Sequence, residues 1–339
     1  MLTQRLTIDC DSPQPEILAR AAAVLRGGGV VAFPTETVYG LGAHALDARA
    51  VARIFEAKGR PAHNPLIVHV ADVSEARRLA ARWPDAAARL AARFWPGPLS
   101  LVVERASSIP DMVTGGGSSV ALRVPAHPVA WQLLRTSGLP LAAPSANRST
   151  QISATTADHV MRQLAGRIEM VLDAGPSAGG LESTVIDVRS SPARLLRPGL
   201  VSRDELQQAL GETIDWPAPG TTPAAGPLPS PGMQLRHYAP RVPVDCTADD
   251  GLPRVHALTD RGLRVGWLAV GQPRPGCWPA STTMLWLPAD PVRYASGLYA
   301  ALHELEAAGI DRMVIALPPD TPAWHAIHDR LRRASAPVE

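Results

Sequence analysis

Lys58 is the single lysine in a 339-residue chain that carries 33 lysine and arginine side chains. Only two asparagines occur, Asn64 and Asn147. A chain this biased toward arginine and alanine keeps lysine where arginine cannot replace it. Lysine is a compact point charge and arginine a wide planar fork. In Lys58-Gly-Arg60 the two cations stand on an irregular segment between a helix and a strand. There they can converge on one anion such as phosphate, the arginine gripping two oxygens. A solvated helix C-terminus, where cations are favoured, would produce the same pair.

Other polar clusters follow apolar runs. Phe33-Pro-Thr-Glu-Thr-Val-Tyr-Gly-Leu-Gly42 mixes hydroxyls with glycines that let backbone approach a ligand; a hairpin or turn with capping threonines reads the same way. Ala143-Pro-Ser-Ala-Asn147, with Ser153 downstream, sets short hydroxyl and amide groups after a strand. That suits nucleotide recognition and equally an ordinary turn. Glu182-Ser-Thr-Val185 follows a glycine-rich approach. Leu196-Arg-Pro-Gly199 ends a strand in an arginine. Arg123 is a candidate for a carboxylate, and His69 alternates within Leu66 to Val70 as a hydrogen-bonded strand histidine or a ligand contact.

The elements that must position these groups alternate between strands and helices over the first 210 residues. Helices are predicted over Ile17 to Arg26, Ala48 to Ala57, Ser74 to Trp83, Asp85 to Phe94, Pro128 to Thr136 and Thr155 to Gly166. A further helix, Ser202 to Leu210, has Ser202 as N-cap. Strands are predicted at Val30 to Phe33, Pro65 to Val70, Leu99 to Glu104, Val120 to Val124, Leu139 to Ala143, Met170 to Asp173, Thr184 to Val188 and Arg194 to Arg197. Residues 1–211 therefore read as a mixed α/β domain. Residues 212–240 are dense in proline and glycine and read as a semi-rigid linker ending in Arg236-His-Tyr-Ala-Pro240. Residues 241–339 alternate strands with helices, including Asp290 to Ala308 and Ala323 to Ala334, as a small Rossmann-like layer.

Several functions are excluded or disfavoured. A G-x-x-x-x-G-K-[ST] loop, a G-x-G-x-x-G fingerprint and a G-x-S-x-G elbow are all absent, which argues against a P-loop ATPase, a dinucleotide site and a serine hydrolase. Cys10, Cys246 and Cys277 give no zinc spacing and suit a reducing compartment. No apolar run is long enough for a membrane span, and the N-terminus lacks a signal-peptide pattern, so the cytoplasm is expected. A net charge of +2 does not by itself imply nucleic acid.

Eight collinear segments, PTETVYGLG, KGRPAHNPLIVHV, WPGPLSLV, VALRVPAHP, PLAAPSANRS, ESTVIDV, LLRPG and HYAP, resemble the YrdC/TsaC family of threonylcarbamoyl-AMP synthases in its long two-domain form. They cover nearly all of residues 20–240. The resemblance implies a YrdC-like, twisted, mostly-β open α/β domain with a basic cavity, followed by a small Rossmann-like α/β domain. It implies joining L-threonine, bicarbonate or CO2 and ATP into threonylcarbamoyl-AMP for tRNA modification, a nucleotidyltransferase reaction.

Carried over by position, Lys58 and Arg60 hold ATP phosphates. Asn64, Ser119, Ser145, Asn147, Ser153 and Arg197 line the nucleotide, and Tyr238 covers it from the linker. Thr37, His69, Arg123, Ala143 and Ser183 surround threonine. Mg2+ is expected through the ATP phosphates, with no dedicated protein metal site. Expected partners are the small-molecule substrates, the tRNA threonylcarbamoyl transferase complex that receives the product, and tRNA or other RNA bound weakly. The family often has glycine where this chain has Thr150. The alternatives are a non-catalytic tRNA- or rRNA-binding factor and the carbamoyl-transfer domain of a hydrogenase-maturation protein. Aromatics make up only 4% of the chain, few for stacking bases. The second alternative needs zinc-finger modules whose C-x2-C pairs are missing.

Overall fold

The computed structural model describes residues 2–216, 235–272 and 278–337. Most of the proposed linker (217–234) and Cys277 lie outside the described residues. Two compact units are present. Residues 2–149, 153–178 and 182–216 form the first; residues 150–152, 179–181, 235–272 and 278–337 form the second. The short loops 150–152 and 179–181 thus leave the first unit, a division that no composition shift marks.

The first unit is built on strands β1 (Gln4–Thr7), β2 (Val31–Phe33), β3 (Gly40–His44), β4 (Ile67–His69), β5 (Leu99–Glu104), β6 (Ser119–Arg123), β7 (Leu141–Ala142), β8 (Met170–Asp173), β9 (Thr184–Asp187) and β10 (Arg194–Arg197). They form one mixed sheet in the order β1-β8-β2-β3-β7-β4-β6-β5-β9-β10. Alternation along the strands sorts side chains to two faces. One face carries Leu101, Leu122 and Ile186 into a large core shared with Val51 and Ile54 of helix Ala48–Lys58. None of these five side chains is exposed. Truncating such a leucine or isoleucine to alanine costs roughly 2–5 kcal/mol. On the other face, helices Pro15–Arg26 and Pro128–Ser137 pack Leu18, Leu25, Val129 and Leu133 against Val31, Phe33 and Leu141. Farther along that sheet a small apolar floor of Ile67, Val102, Ala121, Val185 and Leu196 stands apart as its own cluster. The same alternation puts His69 beside Ile67, and Ser119 and Arg123 beside Ala121.

One open reading is decided and one predicted element differs. Gly40 and Gly42, read as part of a ligand loop or of a hairpin, lie in strand β3, which pairs antiparallel with β2. Its glycines answer to packing, since a Cβ on Gly42 would lie 2.6 Å from Phe33 Cε1 on the neighbouring strand. The helix expected over Ser74 to Trp83 spans only Val73–Arg78. Beyond it, Ala81 N–H donates to Glu104 O at 2.9 Å, and Ala80 bridges Arg105. Pairing with the end of β5 outcompetes another helical turn before Pro84. Helix Arg203–Leu210 carries the expected Ser202 cap, completed by Glu205 as a reciprocal capping box.

The second unit contains β11 (Val244–Thr247), β12 (Val265–Val270), β13 (Thr282–Leu287) and β14 (Arg312–Ala316), all parallel in the order β11-β14-β12-β13. Helices Leu252–Thr259, Pro291–Ala307 and His325–Ser335 connect or follow them; the first was not predicted. A cleft of about 1030 Å³ opens at the carboxyl ends of β11, β12 and β14, lined by Asp249, Asp250, Trp267, Pro318, Asp320 and His328 among others. None of the residues singled out from sequence lines it. No helix among the described residues is long and apolar enough to cross a membrane.

Candidate functional site

The spacing in Lys58-Gly-Arg60 has a backbone cause. Lys58 is the last residue of helix Ala48–Lys58, and Gly59 follows in the left-handed conformation with φ 60°. A Cβ there would meet nothing within 4 Å, so the dihedral and not space selects glycine. The reversal lets Arg60 N–H donate to Phe55 O at 3.0 Å and frees both side chains from the helix.

Lys58 is 2% exposed. Its Nζ donates to Ser145 O at 2.6 Å and to Asn147 O. The one ammonium therefore clamps the helix end to the Ser-Ala-Asn turn. That turn is held from its other side, where Ala146 N–H donates to Tyr39 O at 2.7 Å. Burial first, and then the Arg60 charge, push the Lys58 pKa well below its ordinary value. Arg60 is buried as well; it donates to Asn64 Oδ1 at 2.6 Å and Pro65 O at 2.9 Å. Asn64 Nδ2 is buried without a hydrogen-bond partner. Lys58, Arg60, Asn64, Ser145 and Asn147 thus form one connected group.

A second group surrounds Arg123, the last residue of β6. Its Nε donates to Gly97 O at 3.1 Å and its Nη1 to Thr37 Oγ1 at 3.0 Å. Nη2 lies 2.6 Å from Glu36 Oε1, yet the pair is misaligned for a hydrogen bond. Thr35 positions this loop: its Oγ1 accepts from Thr37 N–H and Val38 N–H and lies 2.8 Å from Thr37 Oγ1. His69 pairs in register with Arg123 on the adjacent parallel strand. Burial, then the Arg123 charge, hold His69 well below the usual imidazole range, and its Nδ1 is buried without a partner. Ala143 N–H donates to Ile67 O at 2.9 Å, bringing the start of the Ala-Pro-Ser-Ala-Asn segment beside β4.

Arg197 forms a third group with Ser183. Its Nε and Nη2 both donate to Ser183 O, at 3.1 and 2.9 Å, and Nη2 also reaches Ser183 Oγ at 3.1 Å. A register shift between Leu195 and Arg197 bends β10 here, so Leu195 joins the large core while Leu196 joins the apolar floor. Gly199 lies so close to the Glu182–Thr184 backbone that a Cβ would sit 2.4 Å from Thr184 N. Gly199→Ala is expected to lower stability by about 1–3 kcal/mol through overpacking. A thermal midpoint unchanged from wild type would remove this account of the Leu-Arg-Pro-Gly glycine.

Ser119 opens the strand that ends in Arg123, on the same face. Ser153 is fully buried and donates to Glu182 Oε1. Tyr238 belongs to the second unit, where its ring stacks on Tyr299 at 5.9 Å beneath the Arg330 guanidinium. Thr150 adopts φ 66°, so the loop keeps the left-handed conformation that glycine takes freely. A β-branched residue is strained there, by about 1–2 kcal/mol, against a glycine entropy cost of about 0.5–1 kcal/mol. Thr150→Gly is expected to raise the thermal midpoint slightly, and a fall would show that the threonine side chain stabilises the loop.

Sequence reasoning passed over Glu36, Thr35 and Glu182. Glu36 and Thr35 sit inside the Pro-Thr-Glu-Thr stretch already noted, but only the fold shows Glu36 against Arg123.

A mixed sheet with three buried cationic centres, one binding a serine–asparagine turn and one on a hydroxyl beside an apolar floor, defines an α/β protein with its cations gathered in the first unit. Family models match most of the chain. Residues 23–199 match the Sua5/YciO/YrdC family, described as telomere recombination, and residues 201–336 match the threonylcarbamoyl-AMP synthase C-terminal domain. A threonylcarbamoyl-AMP synthase of Pyrococcus abyssi is 41% identical over 322 residues, 93% of each chain. One of Bacillus subtilis is 40% identical over 338 residues, covering 97% of this chain and 96% of its own. The crystal structure of P. abyssi Sua5 complexed with L-threonine superposes with a TM-score of 0.90 at 38% identity over 98% of each chain. The chain belongs to the two-domain threonylcarbamoyl-AMP synthase family.

Proposed function

We propose that this protein condenses L-threonine, bicarbonate or CO2, and ATP into threonylcarbamoyl-AMP and pyrophosphate, a nucleotidyl transfer that supplies tRNA N6-threonylcarbamoyladenosine synthesis in the cytoplasm. The observation that carries this reading is the Lys58 clamp: one buried ammonium binds the Ser145 and Asn147 carbonyls beside Arg60 and Asn64. The full-length likeness to named synthases supports it.

The amine of threonine takes up CO2 to give a carbamate. A carbamate oxygen then attacks the α-phosphorus of ATP, its P–O bond forms, and the bond to pyrophosphate breaks. Negative charge gathers on the phosphoryl oxygens and the leaving group. Fixed cations and in-line positioning therefore do the work, and no covalent nucleophile is needed. Lys58, Arg60 and Arg197 supply the cations, with Ser119, Ser145, Ser153 and Asn147 along the nucleotide. Asn64 Nδ2 has an unused buried donor for a ligand oxygen. Arg123 receives the threonine carboxylate, with Thr37, His69, Ala143 and Ser183 around the amino acid. Mg2+ would be held by the ATP phosphates and water and would offset the phosphoryl charge. The product passes to the tRNA threonylcarbamoyl transferase complex, and any RNA contact is weak and salt-dependent.

The test is product analysis by mass spectrometry with 13C-labelled bicarbonate. Label in an adduct of threonine and AMP is expected, in strict dependence on threonine and without RNA. ATP turnover with no labelled adduct would overturn the reading.

A further inference from the structure

Glu36 is a charged side chain beside Arg123 that the reaction above does not use. Both of its carboxylate oxygens are buried and have no hydrogen-bond partner. Its one close ionic contact is the misaligned approach of Arg123 Nη2. A buried carboxylate without hydrogen bonds is costly and calls for a reason. The charged and titratable groups facing it are Arg123 and His127, and Thr37 adjoins it in the chain. Thr37 is already engaged by Arg123 and Thr35. His127 Nδ1 accepts from Val129 N–H, and its Nε2 lies 3.6 Å from Cys10 Sγ. Burial lowers the His127 pKa, and the Glu36 charge opposes that shift without overcoming it. Neither group therefore supplies the donors that the Glu36 oxygens lack.

An ammonium ion would. Arg123 and Glu36 stand side by side as opposite charges, which matches the two ends of an amino-acid zwitterion. We propose that Glu36 binds the threonine ammonium and takes its first proton when the carbamate forms. This rests on the reading that Arg123 meets the threonine carboxylate.

The step balances as follows. The ammonium gives one proton to Glu36, which becomes a neutral carboxylic acid. The freed nitrogen lone pair attacks the carbon of CO2; an N–C bond forms, and one C=O π pair moves onto oxygen. The nitrogen then loses a second proton to water, leaving the carbamate anion that attacks ATP. Glu36 returns its proton to solvent before the next turnover. A carboxylate suits this task because it offers acceptors only, and the ammonium offers donors only.

Calorimetric binding of two ligands tests the assignment: L-threonine, and 2,3-dihydroxybutanoate, in which a hydroxyl replaces the amine. Wild type is expected to prefer threonine by about 30- to 100-fold, the scale of a charge-assisted hydrogen bond. Glu36→Gln should bind the hydroxy acid nearly as wild type does and lose most of that preference. Turnover by Glu36→Gln at saturating threonine should rise about tenfold per pH unit toward the amine's own pKa, because only pre-deprotonated substrate reacts. Glu36→Asp, which keeps the charge one methylene back, should fall between the two and serves if the glutamine variant does not fold. Equal weakening of both ligands by Glu36→Gln would show that Glu36 merely orients Arg123, and an unchanged preference would show no contact; either overturns the inference. A wild-type protein that binds no threonine would instead overturn the underlying reading of the site.

Discussion

Lys58→Ala is expected to lower threonine- and bicarbonate-dependent pyrophosphate release by at least about 1000-fold, roughly 4 kcal/mol of transition-state stabilisation. The buried ammonium has two tasks. It holds the Ser145 and Asn147 carbonyls, and it stands beside Arg60 where phosphoryl charge develops. Removing it takes one donor from each of these carbonyls, and Ser145 O still accepts from Asn147 N–H at 3.0 Å, so the thermal midpoint should fall modestly as well. Activity must therefore be compared at a temperature where circular dichroism shows the variant folded. Lys58→Arg should also lose most activity, because a planar fork cannot replace a point charge converging on two carbonyl oxygens. Wild-type rates in the arginine variant would remove the argument from the unique lysine.

The lowered Lys58 pKa gives this prediction a second readout. In the free protein, burial and then Arg60 hold the Lys58 pKa below its ordinary value, while the ammonium donates to two carbonyls. A bound triphosphate restores opposite charge and raises the pKa. Between the lowered free value and the raised bound value, ATP binding must take up a proton. Calorimetry in buffers of different ionisation enthalpy should show that uptake in wild type and not in Lys58→Ala. Equal uptake in both would place the titrating group elsewhere.

Arg123→Lys is expected to raise the half-saturating threonine concentration by about 100-fold while leaving that for ATP within a few-fold. The guanidinium reaches Gly97 O, Thr37 Oγ1 and Glu36 from three of its nitrogens at once. A lysine ammonium cannot span those directions and still face a carboxylate. Arg123→Ala goes further, since it strands Glu36 in a site where the pair is mostly buried. A loss of about 3–5 kcal/mol in stability is expected there. If the lysine variant raised both half-saturation values equally, Arg123 would be organising the whole sheet face and not the amino-acid end alone.

The local elements were written in the sequence. Leu99–Glu104, Met170–Asp173, Arg194–Arg197 and Asp85–Phe94 fall where apolar periodicity places them, and the Ser202 cap is visible as Ser-x-x-Glu. The unique lysine drew attention to Lys58 as a place where arginine cannot substitute, but its burial and its two carbonyl partners were not in the sequence. Strand β1 escaped notice because its Gln4–Thr7 sequence shows no half-buried alternation; only pairing with β8 makes it a strand. β3 stood in the sequence as either a ligand loop or a hairpin, because a glycine that lies under a cross-strand phenylalanine looks, in sequence, like one that serves a ligand.

What the tertiary structure alone decided is the set of partners. Lys58 meets the carbonyls of residues 87 and 89 positions away, and Arg123 reaches back 86 positions to Thr37. Local pattern specifies which face of a strand a side chain occupies, because alternation is a property of the backbone. It does not specify which strand lies alongside. That follows from burying all the apolar faces together, and it is this burial that sets Glu36 against Arg123 and strips its oxygens of water.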